Sequence, residues 1–384
     1  MSEEPAVRPA RVMSIDALRG LDMFMITGGN HLAEILAVFF TLPRCIQEQT
    51  RHVRWEGFSA WDLIMPLFLF IAGTSLPFSF GKRLAEGQSR KQLLMKTLRR
   101  VLVLWILGMV AQGNLLDFDL SKLYLFSNTL QAIAVGYLVA SLALIYLPVF
   151  AQFALACGLL AVFWLLMMLV PSPDCPAGTM EEQHNLARFV DEFVLRGFRN
   201  QAPDYTYTWI LSGLGFAGSV LLGVMSGHLL RSGWAPWKKT AGLILAGAVC
   251  LALGWIWSGG FGWLDAWRFP IIKHIWTSSM VLWAAGWCYL LLAVFYVVVD
   301  VLGFRKSVFF FTVLGSNAIV AYMLASTVDF GHIADGFVGG LMLRFNGWGG
   351  PWPAYASALQ HFAAFSILWL ILLYMHRKGS FVRV

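Results

Sequence analysis

The chain has 384 residues, of which 58% are hydrophobic and only 13% are charged, and its mean hydropathy is +0.67. Water-soluble domains carry about 25% charged residues, so this composition excludes a water-soluble fold and predicts a protein that lies in lipid. The net charge of +7 would suit nucleic acid on a soluble protein, but here it follows membrane topology, and no nucleic-acid partner is predicted.

Apolar stretches of about 20 residues predict about ten transmembrane helices. We place these spans near residues 17–40, 58–80, 100–116, 129–147, 151–171, 207–230, 240–258, 276–300, 308–328 and 354–375. No small-residue cleavage site follows the first stretch, which is therefore expected to be an uncleaved span. No linker is long enough to separate domains, so residues 1–384 are predicted to form one all-α membrane domain.

Lys and Arg residues between the spans fix the predicted orientation. Clusters of them precede span one and follow spans two, six, eight and ten, which share one side if ten spans alternate. The positive-inside rule makes that side the cytoplasm and places both termini there. The longer loops, 41–57, 172–206 and 329–353, then lie outside, with a short helix predicted around Glu181–Arg196.

Ionisable side chains in the first span need partners, because charge is costly in lipid. Asp16 and Arg19 are three residues apart on one helix face and could pair, whereas Asp22 lies deeper. At the outer end, Gly28 and Gly29 allow another backbone or a ligand to come close. Asn30 follows them with an amide that can both donate and accept a hydrogen bond.

The start of the second span holds the strongest catalytic candidates. His52 comes just before this span, and Asp62 lies about one helical turn inside it. A carboxylate in apolar surroundings needs a cation or an imidazole partner, and an Asp that orients a His general base is a common catalytic pairing. The alternative is that His52 is a solvated loop residue.

More polar residues lie at the ends of later spans. They are Asn128, Gln131, Lys273, His274 and Asn317. Each could line a polar pocket or only hold helices together. The His and Asp residues of the outer face lack zinc-site spacing and the cysteines form no CxxC pair, so no metal is predicted. A disulfide between Cys45 and Cys175, both in outer loops, is left open.

Two stretches of the chain carry a family resemblance. They are SIDALRGLDMFMITGGN at 14–30 and HVRWEGFSAWDLIMPLFLFIAGTSL at 52–76. Both resemble the heparan-α-glucosaminide N-acetyltransferase family of transmembrane acyltransferases. Shorter matches continue to GSNAIVAY at 315–322, so the resemblance spans nearly the whole chain. The elements D-x-x-R-G and H-x-x-W-x-G-x-x-x-x-D are specific in combination.

The resemblance implies transfer of an acetyl group from cytosolic acetyl-CoA to a terminal glucosamine on the far side of the membrane. It implies that His52 is the active histidine, supported by Asn30 and Asp62 at the family's offsets. One position departs from the family pattern, because Ala325 stands where the family has a histidine. Some bacterial members are labelled N-acetylglucosamine-related transporters, so transport remains the alternative.

We therefore predict a multi-pass acetyltransferase of the bacterial inner membrane. Acetyl-CoA, as co-substrate, would donate to an amino sugar or cell-wall sugar at the periplasmic side. His52 would act as general base, Asp62 would orient it, and Asn30 would bind the thioester carbonyl or the oxyanion. The candidates for contacts with the CoA moiety are Lys82, Arg83, Arg99, Arg100, Gln131 and Lys273. For the first four of these, plain positive-inside topology is the alternative explanation.

Two alternatives use the same residues differently. In a transporter for N-acetylglucosamine or a related sugar, the polar pocket would only bind, and Trp55 and Trp61 would stack on the sugar ring. In a non-catalytic scaffold, the side chains of Asn30, His52 and Asp62 would point apart. In either case membrane lipids surround the protein, and a homodimer is left open.

Overall fold

The computed structural model describes residues 12–29, 43–113, 115, 119, 123–200, 202, 205–262, 267–350 and 352–382. Regular structure within these ranges is helical, which confirms the all-α fold class. The α-helices are α1 (Met13–Phe24), α2 (Arg44–Gln49), α3 (Ile64–Ala85), α4 (Arg90–Ala111), α5 (Thr129–Tyr146), α6 (Val149–Leu169), α7 (Leu186–Leu195), α8 (Ser212–Arg231), α9 (Pro236–Trp257), α10 (Ser278–Phe295), α11 (Phe309–Ser316), α12 (Ala318–Thr327), α13 (Phe330–Trp348) and α14 (Trp352–Arg377). A π-helical turn, Met25–Gly29, continues α1, and a second, Tyr296–Val301, continues α10.

Seven of the described helices are long and apolar enough to cross a membrane. They are α3 with its preceding turn, α5, α6, α8, α9, α10 with its π-helical turn, and α14. Helices α11 and α12 form an eighth candidate, bent by 76° between them. The predicted count of about ten is not reached in the described ranges. The described part of the first predicted span ends at Gly29, and basic residues occupy the first half of α4.

Two predictions about the outer loops have different outcomes. The short helix predicted around Glu181–Arg196 is confirmed as α7. The loop predicted at 329–353 is wrong, because α13 occupies most of it and packs along α14. Asp329 begins α13 by accepting a hydrogen bond from His332 N at 2.9 Å. Several glycines inside α13 lower its helix propensity, which is why the sequence did not predict it.

Helix α8 is the centre of the bundle and packs against α3, α5 and α6. Small residues allow close contact between α3 and α8. A Cβ atom at Gly73 would collide with the Val220 carbonyl oxygen, and one at Gly223 with the Phe70 carbonyl oxygen. Close backbone approach of this kind is how helices associate in lipid, where no hydrophobic force drives them together.

The two ends of α1 mark two ends of the bundle. At its start, Met13 and Asp16 share a cavity of about 380 Å³ with Arg305 and His376. At its far end, Met25 lines another cavity, beside the N-terminal end of α3. These are the helix ends that the sequence assigned to opposite faces. The predicted pairing within α1 is confirmed, since Arg19 Nη1 lies 3.5 Å from Asp16 Oδ1.

Candidate active site

The site begins at the turn that precedes α3. Ser59, Ala60, Trp61 and Asp62 form a capping box, in which Ser59 Oγ accepts from Asp62 N and the Asp62 carboxylate accepts from Ser59 N. A capping box fixes a side chain at the start of a helix, where backbone N–H groups lack intrahelical partners. The sequence S-A-W-D therefore determines the direction of the Asp62 carboxylate.

The two oxygens of Asp62 have different partners. Oδ2 accepts from Val53 N at 3.2 Å, Ser59 N at 3.1 Å and Ser59 Oγ at 3.0 Å. Oδ1 lies 2.8 Å from His52 Nδ1 and accepts from Lys273 Nζ at 3.2 Å. Asp62 is 1% exposed, while half of the His52 side chain remains accessible. The predicted pairing of His52 with Asp62 is therefore present in the geometry.

Lys273 reaches this pair from a distant part of the chain. The segment before α10 lies against the segment before α3, where Gly57 N donates to Ile271 O at 2.9 Å. This places Lys273 Nζ 3.2 Å from His52 Nδ1, with only 7% of the lysine side chain exposed. Burial lowers the pKa of Lys273 from its ordinary value of 10.5, and the Asp62 carboxylate opposes that change.

His52 lines a cavity of about 420 Å³. Aromatic and polar side chains make up most of its wall: Trp61, Asn128, Tyr205, Tyr207, Trp209, Lys273 and Tyr322. In the wall of the same cavity, the Tyr322 hydroxyl donates to Asn128 Oδ1 at 3.3 Å. Clefts that combine aromatic walls with a few placed polar groups are typical of small-molecule sites.

A stack of rings supports one side of the cavity. The imidazole of His274 lies between Trp55, at 5.6 Å between centroids, and Tyr207, at 4.4 Å. Burial lowers the pKa of His274 to about 4 and raises that of Tyr207 to about 12, so both rings are neutral at neutral pH. Trp55 donates from Nε1 to Met180 O at 2.8 Å and does not line the cavity, whereas Trp61 does.

The other predicted site residues are not gathered at the cavity. Asn30 lies outside the described residues. Gln131 is fully buried behind the wall, where its Oε1 accepts from Ser127 N at 2.9 Å and its Nε2 donates to Leu125 O at 2.8 Å. It thereby holds the loop that carries Asn128 into the cavity.

The four basic candidates are also separate from the His52 cavity. Lys82 and Arg83 end α3, about 30 Å along the helix from Asp62 at 1.5 Å per residue. Arg99 is exposed, and the guanidinium of Arg100 lies 4.4 Å from the centre of the Tyr137 ring. None of the four lines this cavity.

Sequence reasoning missed the aromatic wall, but Lys273, one of the residues that could line a polar pocket, does line the cavity. Tyr205, Tyr207 and Trp209 alternate with threonines in an extended segment, so they share one face. That alternation, Y-T-Y-T-W, was the available signal. The position that departs from the family pattern, Ala325, lines a different cavity of about 440 Å³ together with His361.

Comparisons with known proteins give the family to which the chain belongs. Two curated relatives carry the name "Heparan-alpha-glucosaminide N-acetyltransferase". The Homo sapiens protein is 26% identical over 369 residues, which are 82% of this chain and 52% of that protein. The Mus musculus protein is 25% identical over 370 residues, which are 82% of this chain and 54% of that protein. The chain therefore spans about half the length of these relatives.

A family model matches a continuous part of the chain that contains His52, Asp62 and Gln131. The match covers residues 11–254, which is more than half of the chain. Lys273 lies beyond the matched part, so its place in the site follows from the geometry alone. Within the matched part lie both motifs that carried the resemblance. The chain belongs to the family described as "Heparan-alpha-glucosaminide N-acetyltransferase, catalytic".

Proposed function

We propose that this protein is a transmembrane acetyltransferase of a bacterial inner membrane. Acetyl-CoA from the cytoplasm is the donor, and an amino sugar or cell-wall sugar at the periplasmic side is the acceptor. The observation that carries this proposal is the 2.8 Å contact between His52 Nδ1 and Asp62 Oδ1 at the edge of the cavity. The name of the two relatives adds N-acetyl transfer to a glucosaminide as the type of reaction.

The paired imidazole has the arrangement of a general base. When the Nδ1–H group donates a hydrogen bond to Asp62, the lone pair on Nε2 is free to accept a proton. The acceptor amine or hydroxyl attacks the thioester carbonyl and gives its proton to His52 Nε2. The new C–N or C–O bond forms, the C–S bond breaks, and the imidazolium returns the proton to the departing CoA thiolate. Asn30 is proposed to donate to the carbonyl oxygen as it becomes negative.

The wall of the cavity supports a sugar as the acceptor. The rings of Trp61, Tyr207 and Trp209 offer flat apolar faces, while Tyr322 and Asn128 offer a hydroxyl and an amide. A sugar has apolar C–H faces and a rim of hydroxyl groups, so it matches a wall with both kinds of group. A volume of about 420 Å³ is within the range of small-molecule pockets.

The donor would have to approach from the opposite end of the bundle. Lys82 and Arg83 lie at that end of α3, and Arg99 and Arg100 lie in α4, the next helix along the chain. Basic side chains of this kind bind phosphates through charge-assisted hydrogen bonds, so we propose them for the phosphates of CoA. Gln131, which lies behind the cavity wall, is proposed for the arm that carries the acetyl group.

The test is acetyl transfer by the purified protein in proteoliposomes, with labelled acetyl-CoA on the basic side and candidate amino sugars on the other. We expect the His52→Ala variant to lose at least about a hundredfold of the rate, which is the usual contribution of a general base. His184→Ala is the matched control, because His184 is an exposed histidine outside the cavity. Full transfer by His52→Ala would remove His52 from the mechanism.

The transporter alternative shares the aromatic cavity but does not need the charged cluster. It predicts uptake of labelled N-acetylglucosamine into proteoliposomes without acetyl-CoA, and equal uptake by His52→Ala. The scaffold alternative predicted that the side chains of His52 and Asp62 point apart, whereas their ring nitrogen and carboxylate oxygen are 2.8 Å apart. This convergence on a cavity favours chemistry over a purely structural role.

A further inference from the structure

The groups that can carry charge around His52 are few. Beside the ring, within the described ranges, are Asp62 on the turn before α3, Lys273 and His274 before α10, and Tyr205 and Tyr207 before α8, with Tyr322 of α12 in the wall of the same cavity. Burial raises the pKa values of Tyr205 and Tyr207 and lowers that of His274, so these three groups are neutral at neutral pH.

Glu56 lies on the same loop as His52, and its carboxylate forms an ion pair with Arg268. Arg51 and Arg54, which flank His52 in the chain, have exposed side chains, and Arg54 forms an ion pair with Glu182. Among the described residues, one anion and one cation lie within hydrogen-bond distance of the His52 ring. These are the Asp62 carboxylate, 2.8 Å from Nδ1, and the Lys273 ammonium, 3.2 Å from Nδ1.

The donors and acceptors around His52 Nδ1 allow two hydrogen-bond arrangements. An ammonium group has three donors and no acceptor, and a ring nitrogen either donates or accepts. With a proton on Nδ1, His52 donates to Asp62 and Nε2 carries the lone pair. Without that proton, Nδ1 accepts from Lys273 and Nε2 carries the proton. In both arrangements the ring is neutral, and Lys273 also donates to Asp62 Oδ1 at 3.2 Å.

We propose that Lys273 is a positioning residue that balances the charge of Asp62 and so keeps the imidazole of His52 neutral and able to accept a proton. This inference rests on the proposed function for its catalytic meaning. Asp62 alone would favour the imidazolium form, which has no lone pair at Nε2 and cannot act as a base. A cation 3.2 Å from the same ring opposes a second positive charge there.

The alternative role for Lys273, a contact with the CoA moiety, has less support. Only 7% of its side chain is exposed, and its ammonium group is already held by Asp62 and His52. A phosphate would have to replace the Asp62 contact inside the wall. Lys82, with 78% of its side chain accessible and only a surface ion pair with Glu86 at 3.8 Å, is the matched lysine for comparison.

The test measures the state of the His52 ring directly, without relying on activity. Diethyl pyrocarbonate modifies only the neutral form of imidazole, so the rate of labelling at His52, followed by peptide mass spectrometry across pH, reports when the ring loses its charge. We expect the midpoint of labelling to rise by at least about one pH unit in Lys273→Met, a tenfold change in the equilibrium. Lys82→Met should keep the wild-type midpoint, and His184 serves as the internal reference.

An unchanged midpoint in a folded Lys273→Met protein overturns the proposal. If this variant does not fold, Asp62→Asn decides, because removal of the anion leaves only the cation and should lower the midpoint. A midpoint in Asp62→Asn that is unchanged or higher overturns the proposal equally.

The activity of Lys273→Met separates a positioning role from donor binding. We expect the acid side of its pH–rate profile to move to higher pH, with the KM for acetyl-CoA unchanged and with Lys273→Arg restoring the wild-type profile. A rise in that KM without a change in the profile would instead assign Lys273 to the donor. Absence of transfer in the wild-type protein would refute the proposed function, while the labelling midpoint would still test the role of Lys273.

Discussion

Two buried aspartates differ completely in the hydrogen bonds that their carboxylates accept. Asp62 and Asp22 are each only 1% exposed. Both oxygens of Asp62 are hydrogen-bonded, to His52, Lys273, Ser59 and Val53. Neither oxygen of Asp22 has a hydrogen-bond partner among the residues that the structure describes.

The difference follows from where each residue stands in its helix. Asp62 lies in the first turn before α3, where backbone N–H groups are free to donate to a side chain. Asp22 lies near the end of α1, where backbone N–H groups are already used by the helix. Its nearest cation in the helix, Arg19, donates to Ser75 Oγ at 2.6 Å. Burial alone therefore does not make a carboxylate part of a site.

The strongest test of this difference is to replace each aspartate with asparagine. Asp62→Asn removes the acceptor of the His52 proton, and we expect transfer to fall by about 10²- to 10⁴-fold. Asp22→Asn removes no hydrogen bond between described residues, so the rate should change by less than about tenfold. The measurement is kcat/KM for acetyl transfer by both variants in proteoliposomes. Equal losses would mean that the hydrogen-bond network of Asp62 has no special role.

The next prediction concerns stability and tests whether Lys273 completes the Asp62 network. Lys273→Met keeps the apolar stem but leaves the buried carboxylate without its cation, which should lower the free energy of unfolding by about 3 kcal/mol. In the double variant Asp62→Asn/Lys273→Met, no unpaired charge remains, so its loss should be smaller than the sum of the two single losses. Denaturant unfolding in detergent measures all four proteins. Additive losses would show that the two side chains are not coupled.

A third buried aspartate lies between the two extremes. Asp191 of α7 is fully buried and accepts from Trp209 N and Ile210 N, each at 2.8 Å. Burial raises its pKa from 3.8 to about 6, and these two hydrogen bonds only partly oppose that change. Two hydrogen bonds from N–H groups therefore do not offset the effect of burial on the pKa of Asp191.

This shift predicts a pH dependence of stability with a defined sign. The folded state binds the proton of the Asp191 carboxyl more tightly than the unfolded state does. The resulting contribution to the free energy of unfolding is therefore complete below pH 3.8 and is lost as the pH rises through about 6. Between about pH 4 and about pH 7, the wild-type free energy of unfolding should fall by about 2 kcal/mol more than that of Asp191→Asn. Unfolding curves of the two proteins at both pH values measure the difference. Parallel pH profiles would contradict the assignment.

The sequence could predict the features that depend on neighbours along the chain. Apolar stretches gave the all-α class, and the ten-residue spacing of His52 and Asp62 brought them together because the S-A-W-D turn fixes the carboxylate. Asp16 and Arg19 pair as residues three apart on a helix should. In each case the decisive interaction is local.

The parts that could not be predicted depend on distant contacts. Lys273 is 221 residues from His52, and no local pattern indicates that its ammonium group would meet that ring. Gln131, predicted at the donor site, also accepts a hydrogen bond at 3.3 Å from Gln112 Nε2, which lies 19 residues earlier in the chain. Helix α13 forms despite its glycines, since packing along α14 outweighs propensity. Tertiary context decides all three.

The smallest expected effect tests how redundant the Asp62 network is. Ser59→Ala removes the hydroxyl that lies 3.0 Å from Asp62 Oδ2 and 2.7 Å from the Arg51 carbonyl oxygen, but it keeps the Ser59 and Val53 N–H donors. Loss of a helix cap costs about 1 kcal/mol, and we expect that change in the free energy of unfolding with less than a tenfold loss of transfer. A loss as large as that of Asp62→Asn would show that the backbone donors do not hold the carboxylate. In that case the Ser59 hydroxyl, and not the free backbone N–H groups at the start of the helix, would explain how the Asp62 carboxylate is oriented toward His52 and Lys273.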